Sequence, residues 1–228
     1  MSPSPGDDFD TYGFVLGETK KQHGDGDGLR EIQLDALKRW HAFQFELGKR
    51  SEESPLPLDF FLEIFDDYFF LGTLRPYTKV RLVDRTRRNL GWIGLTTSKR
   101  QYLIEGRREI QIKLKRLPDQ LWTRDLVQDL LDTLLHEMTH AFLMLHSTPP
   151  RFLGITRYRS LVETEGLTGH GPCWLKVATA VQVEADRSLG EAWDKWELKI
   201  QRSRQFERNE LKELNDRKGI QMMDEESD

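Results

Sequence analysis

The chain has only one cysteine, Cys173, and no long apolar run. A single cysteine forms neither an internal disulfide nor a multi-cysteine zinc finger, so a bound metal would need histidine and carboxylate ligands. No stretch approaches the roughly 20 apolar residues of a membrane span. The N-terminal sequence MSPSPGDD lacks the basic and then apolar order of a signal peptide. We therefore expect an intracellular protein, in the nucleus, the cytoplasm or both, without a membrane partner.

Charge, in contrast, is abundant and unevenly distributed. Charged residues make up 32% of the 228 residues, so we expect one domain with solvated ends. The net charge is −4, yet residues 75–116 contain 13 Lys and Arg against 3 Asp and Glu. Trp92 and Tyr102 lie among these basic residues, a combination that can hold phosphates and stack on exposed bases. Two interpretations remain open: a DNA-binding surface, or a solvated sheet face with Trp92 in the core.

The first half of the chain predicts a tail, two helices and a sheet. Residues 1–28 are rich in Gly, Asp, Ser and Pro and are predicted to be disordered. Apolar residues at three- and four-residue steps predict helices from Leu29 to Gly48 and from Leu58 to about Gly72. Alternating apolar residues between 80 and 114 predict three or four strands in an antiparallel meander.

The second half is predicted to be mainly helical. Thr123 opens a long helix that continues to about Leu145, and Pro172 suits the first turn of another helix through Ala185. Residues 191–218 mix both signs of charge and predict a solvated helix that docks by its first turns. The alternative for this C-terminal helix is a binding surface for a partner protein.

The long helix carries the run His136-Glu137-Met138-Thr139-His140. Its two histidines are four residues apart, so both imidazoles project from one helix face and can reach a single zinc ion. Glu137 is placed to take a proton from a zinc-bound water without binding the metal. The alternative is a core helix with two packed histidines, which is less favoured because an unpartnered buried carboxylate is costly.

A catalytic zinc needs a third protein ligand and an open position. His170 is predicted to be this ligand, because the two glycines of Gly169-His170-Gly171-Pro172 let the backbone approach the metal closely. Glu163 and Glu165 remain alternatives as a carboxylate ligand. His146 is not favoured, because six residues at about 100° each turn it away from the ligand face.

Two motifs then occur in a characteristic order: Leu134–Ala141, followed by Gly169–Pro172 and Trp174. Together they resemble the SprT-like metallopeptidases, a family that includes Spartan-type DNA–protein crosslink proteases. The aromatic stretch Phe65–Leu74 is similar to the one that precedes the family's strands, and the resemblance covers about residues 58–187. It implies a zincin-like α+β domain, in which a short antiparallel sheet packs on the metal-binding helix between flanking helices.

The resemblance also implies a site and an activity. Zinc would bind His136, His140 and His170, and Glu137 would be the general base. The substrates would be proteins bound or crosslinked to DNA, in the nucleus. His140 and His170 are further apart in sequence than expected for the family, so residues 149–168 are predicted to form a loop over the site.

We therefore divide the chain into three parts: a tail (1–28), a SprT-like metallopeptidase domain (29–190, core 58–187) and a charged C-terminal helix with an acidic tail (191–228). The predicted function is that of a zinc-dependent endopeptidase. The alternative is a zinc-stabilised DNA- or chromatin-binding module whose site is inert or closed. Tyr158 and Arg159 are candidates for stabilising the oxyanion.

Overall fold

The computed structural model describes residues 29–47, 56–84, 93–104, 107–116, 123–146, 166, 168–190 and 195–225. The predicted tail and most of the predicted 149–168 loop lie outside these ranges. Within them, helices and strands mix in an α+β structure, as predicted. The elements of the described chain are α1 (Glu31–Leu47), α2 (Leu58–Phe69), β1 (Thr78–Asp84), β2 (Gly94–Ile104), β3 (Arg107–Arg116), α3 (Arg124–His146), α4 (Pro172–Ser188) and α5 (Ile200–Glu225).

The three strands form one sheet in the order β1-β3-β2. β2 pairs antiparallel with β3, but β1 pairs parallel with it, with Thr78 opposite Ile110. The sheet is therefore mixed, and the predicted antiparallel meander is wrong. Alternation predicts strands and their faces but not their neighbours. Among the side chains that the structure describes, β3 has the most deeply buried ones of the three strands, Ile112 and Leu114 among them, and it takes the central position.

Helix α3 packs across the inner face of this sheet, against β2 and β3. Thr123 caps its start, with its hydroxyl oxygen accepting a hydrogen bond from the Leu126 amide at 3.4 Å. Near its other end, the ring of Phe142 lies 5.3 Å from that of Phe70, which directly follows α2. α3 is thus packed between the sheet on one side and the end of α2 on the other.

An aromatic cluster joins three distant parts of the chain. Trp40 of α1 lies 5.8 Å, between ring centroids, from Phe65 of α2 and 5.9 Å from Trp196. Phe65 and Trp196 are themselves 5.7 Å apart, and all three side chains are fully buried. The C-terminal part of the chain therefore contributes directly to the core.

The C-terminal helix begins later than predicted. Residues 195–199, the C-terminal strap, are not helical, and α5 begins at Ile200 instead of near Glu191. Side chains of α3 and α4 accept hydrogen bonds from the backbone amides that a helix would pair internally. These bonds run from Trp196 to Asp186 (2.7 Å), from Glu197 to Asp132 (3.2 Å) and from Leu198 to Gln182 (2.9 Å).

Beyond the strap, α5 docks by its first turns, as predicted: Ser203 and Glu207 are buried. Most of the described side chains around and after them, Arg208 and Lys212 among them, are exposed. None of the helices in the described ranges is both long enough and apolar enough to cross a membrane.

Candidate metal centre

Two of the predicted metal ligands come from the buried half of α3. His136 and His140 are separated by one helical turn, and their Nε2 atoms lie 3.3 Å apart. The residues between and around them, Leu135 and Met138 among them, are buried in the core. The packing of α3 therefore holds the two imidazoles on one face with little freedom to move apart.

His170 joins them from the turn that precedes α4. Gly169 has φ of +80°, a left-handed conformation that favours glycine, and an added Cβ would lie only 3.4 Å from Cε1 of His140. Pro172 then begins α4 at its first position. This turn brings Nε2 of His170 to 3.2 Å from Nε2 of both His136 and His140. The structure thus brings the three predicted histidines together.

Hydrogen bonds at the other ring nitrogens determine which nitrogen carries the proton in two of the histidines. Nδ1 of His136 lies 2.8 Å from the carbonyl oxygen of Leu198, which can only accept, so Nδ1 carries the hydrogen. Nδ1 of His170 lies 2.9 Å from Oγ1 of Thr168, whose own hydrogen goes to Glu207. Thr168 Oγ1 must therefore accept from His170. In both rings Nε2 is left with an unshared lone pair.

Burial also keeps the histidines uncharged. Desolvation lowers the pKa of His136 to about 4, and it lowers the pKa of His140 and of His170 below the usual value. The bare Nε2 atoms of His136 and His170 are both acceptors, so their 3.2 Å contact cannot be a hydrogen bond. Two converging lone pairs repel each other, and a shared cation would remove this repulsion.

The spacing of the nitrogens suits a tetrahedral ion. Three nitrogens at 2.0–2.1 Å from a tetrahedral zinc are about 3.3 Å apart. The observed separations are 3.2, 3.2 and 3.3 Å. Three such ligands leave a fourth position for water or substrate. These residues could therefore hold a metal ion with one open position.

Trp174, from the first turn of α4, packs against all three histidine rings. Its ring stacks on His140 at 5.3 Å with 24° between the planes, and lies 4.7 Å from His136 and 4.6 Å from His170. Trp174 is fully buried. Trp174 fixes the imidazole planes and excludes water from one side of the cluster. The sequence identified Trp174 only as part of the family motif and not as a contact of the histidines.

Glu137 follows His136 and precedes His140 by three residues, so on α3 it borders the histidine face. Its carboxylate accepts a hydrogen bond from Oγ1 of Thr96, on β2, at 2.6 Å. Burial raises the pKa of Glu137 to about 7, while hydrogen bonds from Thr96 act to lower it. A divalent cation in the histidine cluster would lower this pKa, because an opposite charge favours the carboxylate.

β2 also approaches Glu137 through Gly94. A Cβ added at Gly94 would lie 2.6 Å from Glu137 Oε1 and 2.7 Å from Cγ2 of Thr133. The position therefore requires glycine for a close approach of backbone to side chain. The sequence pattern identified neither Gly94 nor Thr96, because both act across the sheet–helix interface. The only signal was a glycine between the apolar residues Ile93 and Leu95 of the predicted sheet region.

Two further histidines of the described ranges take no part in the cluster, and the remaining candidate residues lie outside these ranges. The ring of His146 packs on Phe142 at 4.5 Å, and His41 is exposed on α1. The candidates for a carboxylate ligand and for oxyanion stabilisation lie outside the described residues: Glu163, Glu165, Tyr158 and Arg159.

Comparison with protein-family models, with curated proteins and with solved structures finds no match to this chain.

Proposed function

We propose that this chain is a zinc-dependent endopeptidase of the SprT-like type. The observation that carries the proposal is the convergence of three uncharged histidine nitrogens at 3.2–3.3 Å, at the spacing of a tetrahedral ion. A buried glutamate on the same helix accompanies them. Three histidines with an open fourth position are typical of catalytic zinc, whereas structural zinc sites use all four positions for protein ligands.

The proposed reaction is hydrolysis of a peptide bond. His136, His140 and His170 would hold the zinc ion, which when bound would lower the pKa of a coordinated water to about 7. Glu137 would take a proton from the attacking water as the water oxygen bonds to the peptide carbon. Glu137 then gives a proton to the amine nitrogen as the carbon–nitrogen bond breaks. Thr96 holds one carboxylate oxygen in place, and Gly94 leaves the space that the carboxylate occupies.

The test is the substitution Glu137→Gln, with Glu210→Gln on α5 as the control. An unfolded protein substrate is incubated with each zinc-loaded protein, with and without single-stranded DNA. Glu137→Gln should keep the bound zinc and lose about 10²–10⁴-fold in cleavage rate, the usual contribution of a general base. Cleavage by Glu137→Gln at the wild-type rate would contradict the proposal.

A DNA-binding role is the second candidate, and the outer face of the sheet favours it. Arg81 of β1 lies opposite Lys113 of β3, on the face away from α3. Like charges in opposed positions destabilise a sheet, and an anionic partner would offset this cost. We therefore propose that substrates are bound or crosslinked to DNA, which would place the activity in the nucleus. The side chains of Trp92 and Tyr102 lie outside the described residues.

Neutralising these charges tests the DNA-binding proposal. Arg81→Gln with Lys113→Gln should weaken binding to single-stranded DNA and reduce its dependence on salt, because fewer counterions are released. Lys212→Gln is the control, since Lys212 is an exposed lysine of α5 and not part of the sheet. If the double variant and the control bind alike, the outer face is not the DNA surface. DNA binding together with no wild-type cleavage would favour the non-enzymatic module.

A further inference from the structure

We propose that Glu207 of α5 is a positioning residue for the metal site, and that docking of α5 and metal binding stabilise each other. The inference rests on the proposed zinc site. It adds that the C-terminal part of the chain, more than sixty residues after the His-Glu run, is an integral part of this site. Three observations support it: a chain of hydrogen bonds, a buried carboxylate and a contact made by the strap.

The hydrogen bonds run from His170 to Glu207 through a single threonine. Nδ1 of His170 donates to Oγ1 of Thr168 over 2.9 Å. The Thr168 hydroxyl donates to Oε2 of Glu207 at 2.5 Å, and the Thr168 backbone amide donates to the same oxygen at 2.9 Å. Histidine ligands of metals typically donate their other N–H to such a partner, which fixes the ring and makes it a stronger ligand.

Glu207 is buried in a way that requires the turn before His170. Glu207 is only 6% exposed. Burying a carboxylate costs free energy unless hydrogen bonds compensate for the lost hydration. Gly166, with φ of +79°, allows the approach, since a Cβ there would lie 2.6 Å from Oε1 of Glu207. Gly166 thus leaves space for this carboxylate, and Thr168 supplies two hydrogen-bond donors to it.

The strap makes a second contact with the site. The carbonyl oxygen of Leu198 accepts the Nδ1 hydrogen of His136 at 2.8 Å. Leu198 is itself held by its backbone amide, which donates to Gln182 of α4 at 2.9 Å. The strap and the first turns of α5 therefore orient two of the three histidines. The two contacts lie nine residues apart in sequence, so undocking this segment would release both.

Coupling of this kind is reciprocal. If docking of α5 strengthens metal binding by some factor, metal binding must strengthen docking by the same factor. Removing a hydrogen-bond partner of a metal-bound histidine typically weakens metal affinity by about 10–100-fold. The same range is expected for the change in docking equilibrium when metal is removed.

The first experiment measures zinc affinity of the full chain by competition with a coloured chelator. Thr168→Val removes the hydroxyl that links His170 to Glu207, and it should weaken zinc binding by about 10–100-fold. Glu207→Gln keeps the shape and should give a smaller loss, while Thr168→Ser keeps the hydroxyl and should restore near wild-type affinity. Glu210→Gln, on the same helix, is the control.

Two further readouts separate positioning from a loss of folding. The visible spectrum of the cobalt-loaded protein should change in Thr168→Val and remain as in wild type in Thr168→Ser. In the wild type, chelation of zinc should accelerate amide exchange in residues 200–207, because metal binding and docking of α5 stabilise each other.

The outcomes distinguish this inference from the proposed function. If the wild type binds no zinc, both fail. If the wild type binds zinc and Glu137→Gln abolishes cleavage, but Thr168→Val and Glu207→Gln bind zinc like the control, only the positioning role fails. Equal amide exchange in α5 with and without zinc would likewise overturn the coupling.

Discussion

Gly94→Ala should disable the proposed base while leaving the metal ligands in place. Gly94 begins β2, and its backbone lies directly against the side chain of Glu137. An added Cβ would meet Oε1 of Glu137 at 2.6 Å, Cγ of Glu137 at 2.7 Å and Cγ2 of Thr133 at 2.7 Å. The three nearest atoms belong to Glu137 and Thr133 and none to a histidine, so the methyl group displaces the glutamate before it disturbs the metal ligands.

The size of the effect follows from these distances. Oε1 of Glu137 lies 2.6 Å from the position of the added Cβ, whereas ordinary van der Waals contact begins at 3.4 Å. The carboxylate oxygen must therefore move by about 0.8 Å. A displacement of about 1 Å in a catalytic group costs about 10²-fold in rate, or about 2.7 kcal/mol in the barrier. The crowding itself should lower the free energy of unfolding by about 1–3 kcal/mol.

The assay combines three measurements on one preparation: cleavage of an unfolded protein, zinc content and thermal unfolding. Gly190→Ala is the matched control, because an added Cβ there meets no atom within 4 Å. Gly94→Ala should lose cleavage with its zinc retained, and Gly190→Ala should lose neither. Wild-type cleavage by a folded, zinc-loaded Gly94→Ala protein would refute the placement of Glu137 as the base.

Two other predictions concern the strap. Trp196→Ala should lower the free energy of unfolding by about 3–5 kcal/mol, because a fully buried aromatic side chain is removed. In denaturant titrations, a loss no larger than that of the exposed control Phe206→Ala would contradict this. Asp132→Asn should remove a pH dependence from the metal-free protein. Burial raises the pKa of Asp132 to about 7 from 3.8. The Asp132 carboxyl therefore binds a proton more tightly in the folded state than in the unfolded state. Protonation of Asp132 stabilises the fold fully below about pH 4, and this contribution is lost as the pH rises through about 7. Denaturant titrations from pH 4 to 8 should show the wild type losing stability relative to Asp132→Asn, and parallel profiles would contradict the assignment.

The helix that carries the metal ligands could be predicted because its determinants are local. Thr123 and the apolar periodicity mark its start and its buried face, and the four-residue step from His136 to His140 puts both histidines on one side. His170 could be predicted as a neighbour because Gly169 and Pro172 define a turn before a helix. In each case the relevant information lies within a few residues of the position.

The features that the sequence did not predict depend on contacts between residues far apart in the chain. Parallel pairing of β1 with β3 joins strands that are about thirty residues apart in sequence, and alternation within a strand does not specify such a partner. The strap was predicted to be helical, and this prediction was wrong. Its backbone amides bond instead to Asp132, Gln182 and Asp186, and none of these residues is a sequence neighbour. Mixed charge around Glu207 predicts a solvated helix, although this particular carboxylate is buried against Thr168.

Metal content tests the central claim most directly. The purified wild-type chain should hold about one zinc ion, as expected for a single three-histidine site. After dialysis against a weak chelator, His170→Ala should lose this zinc, whereas His41→Ala, altered at an exposed histidine of α1, should retain it. Equal zinc in His170→Ala and His41→Ala, or no zinc in the wild type, would contradict a metal centre built from His136, His140 and His170.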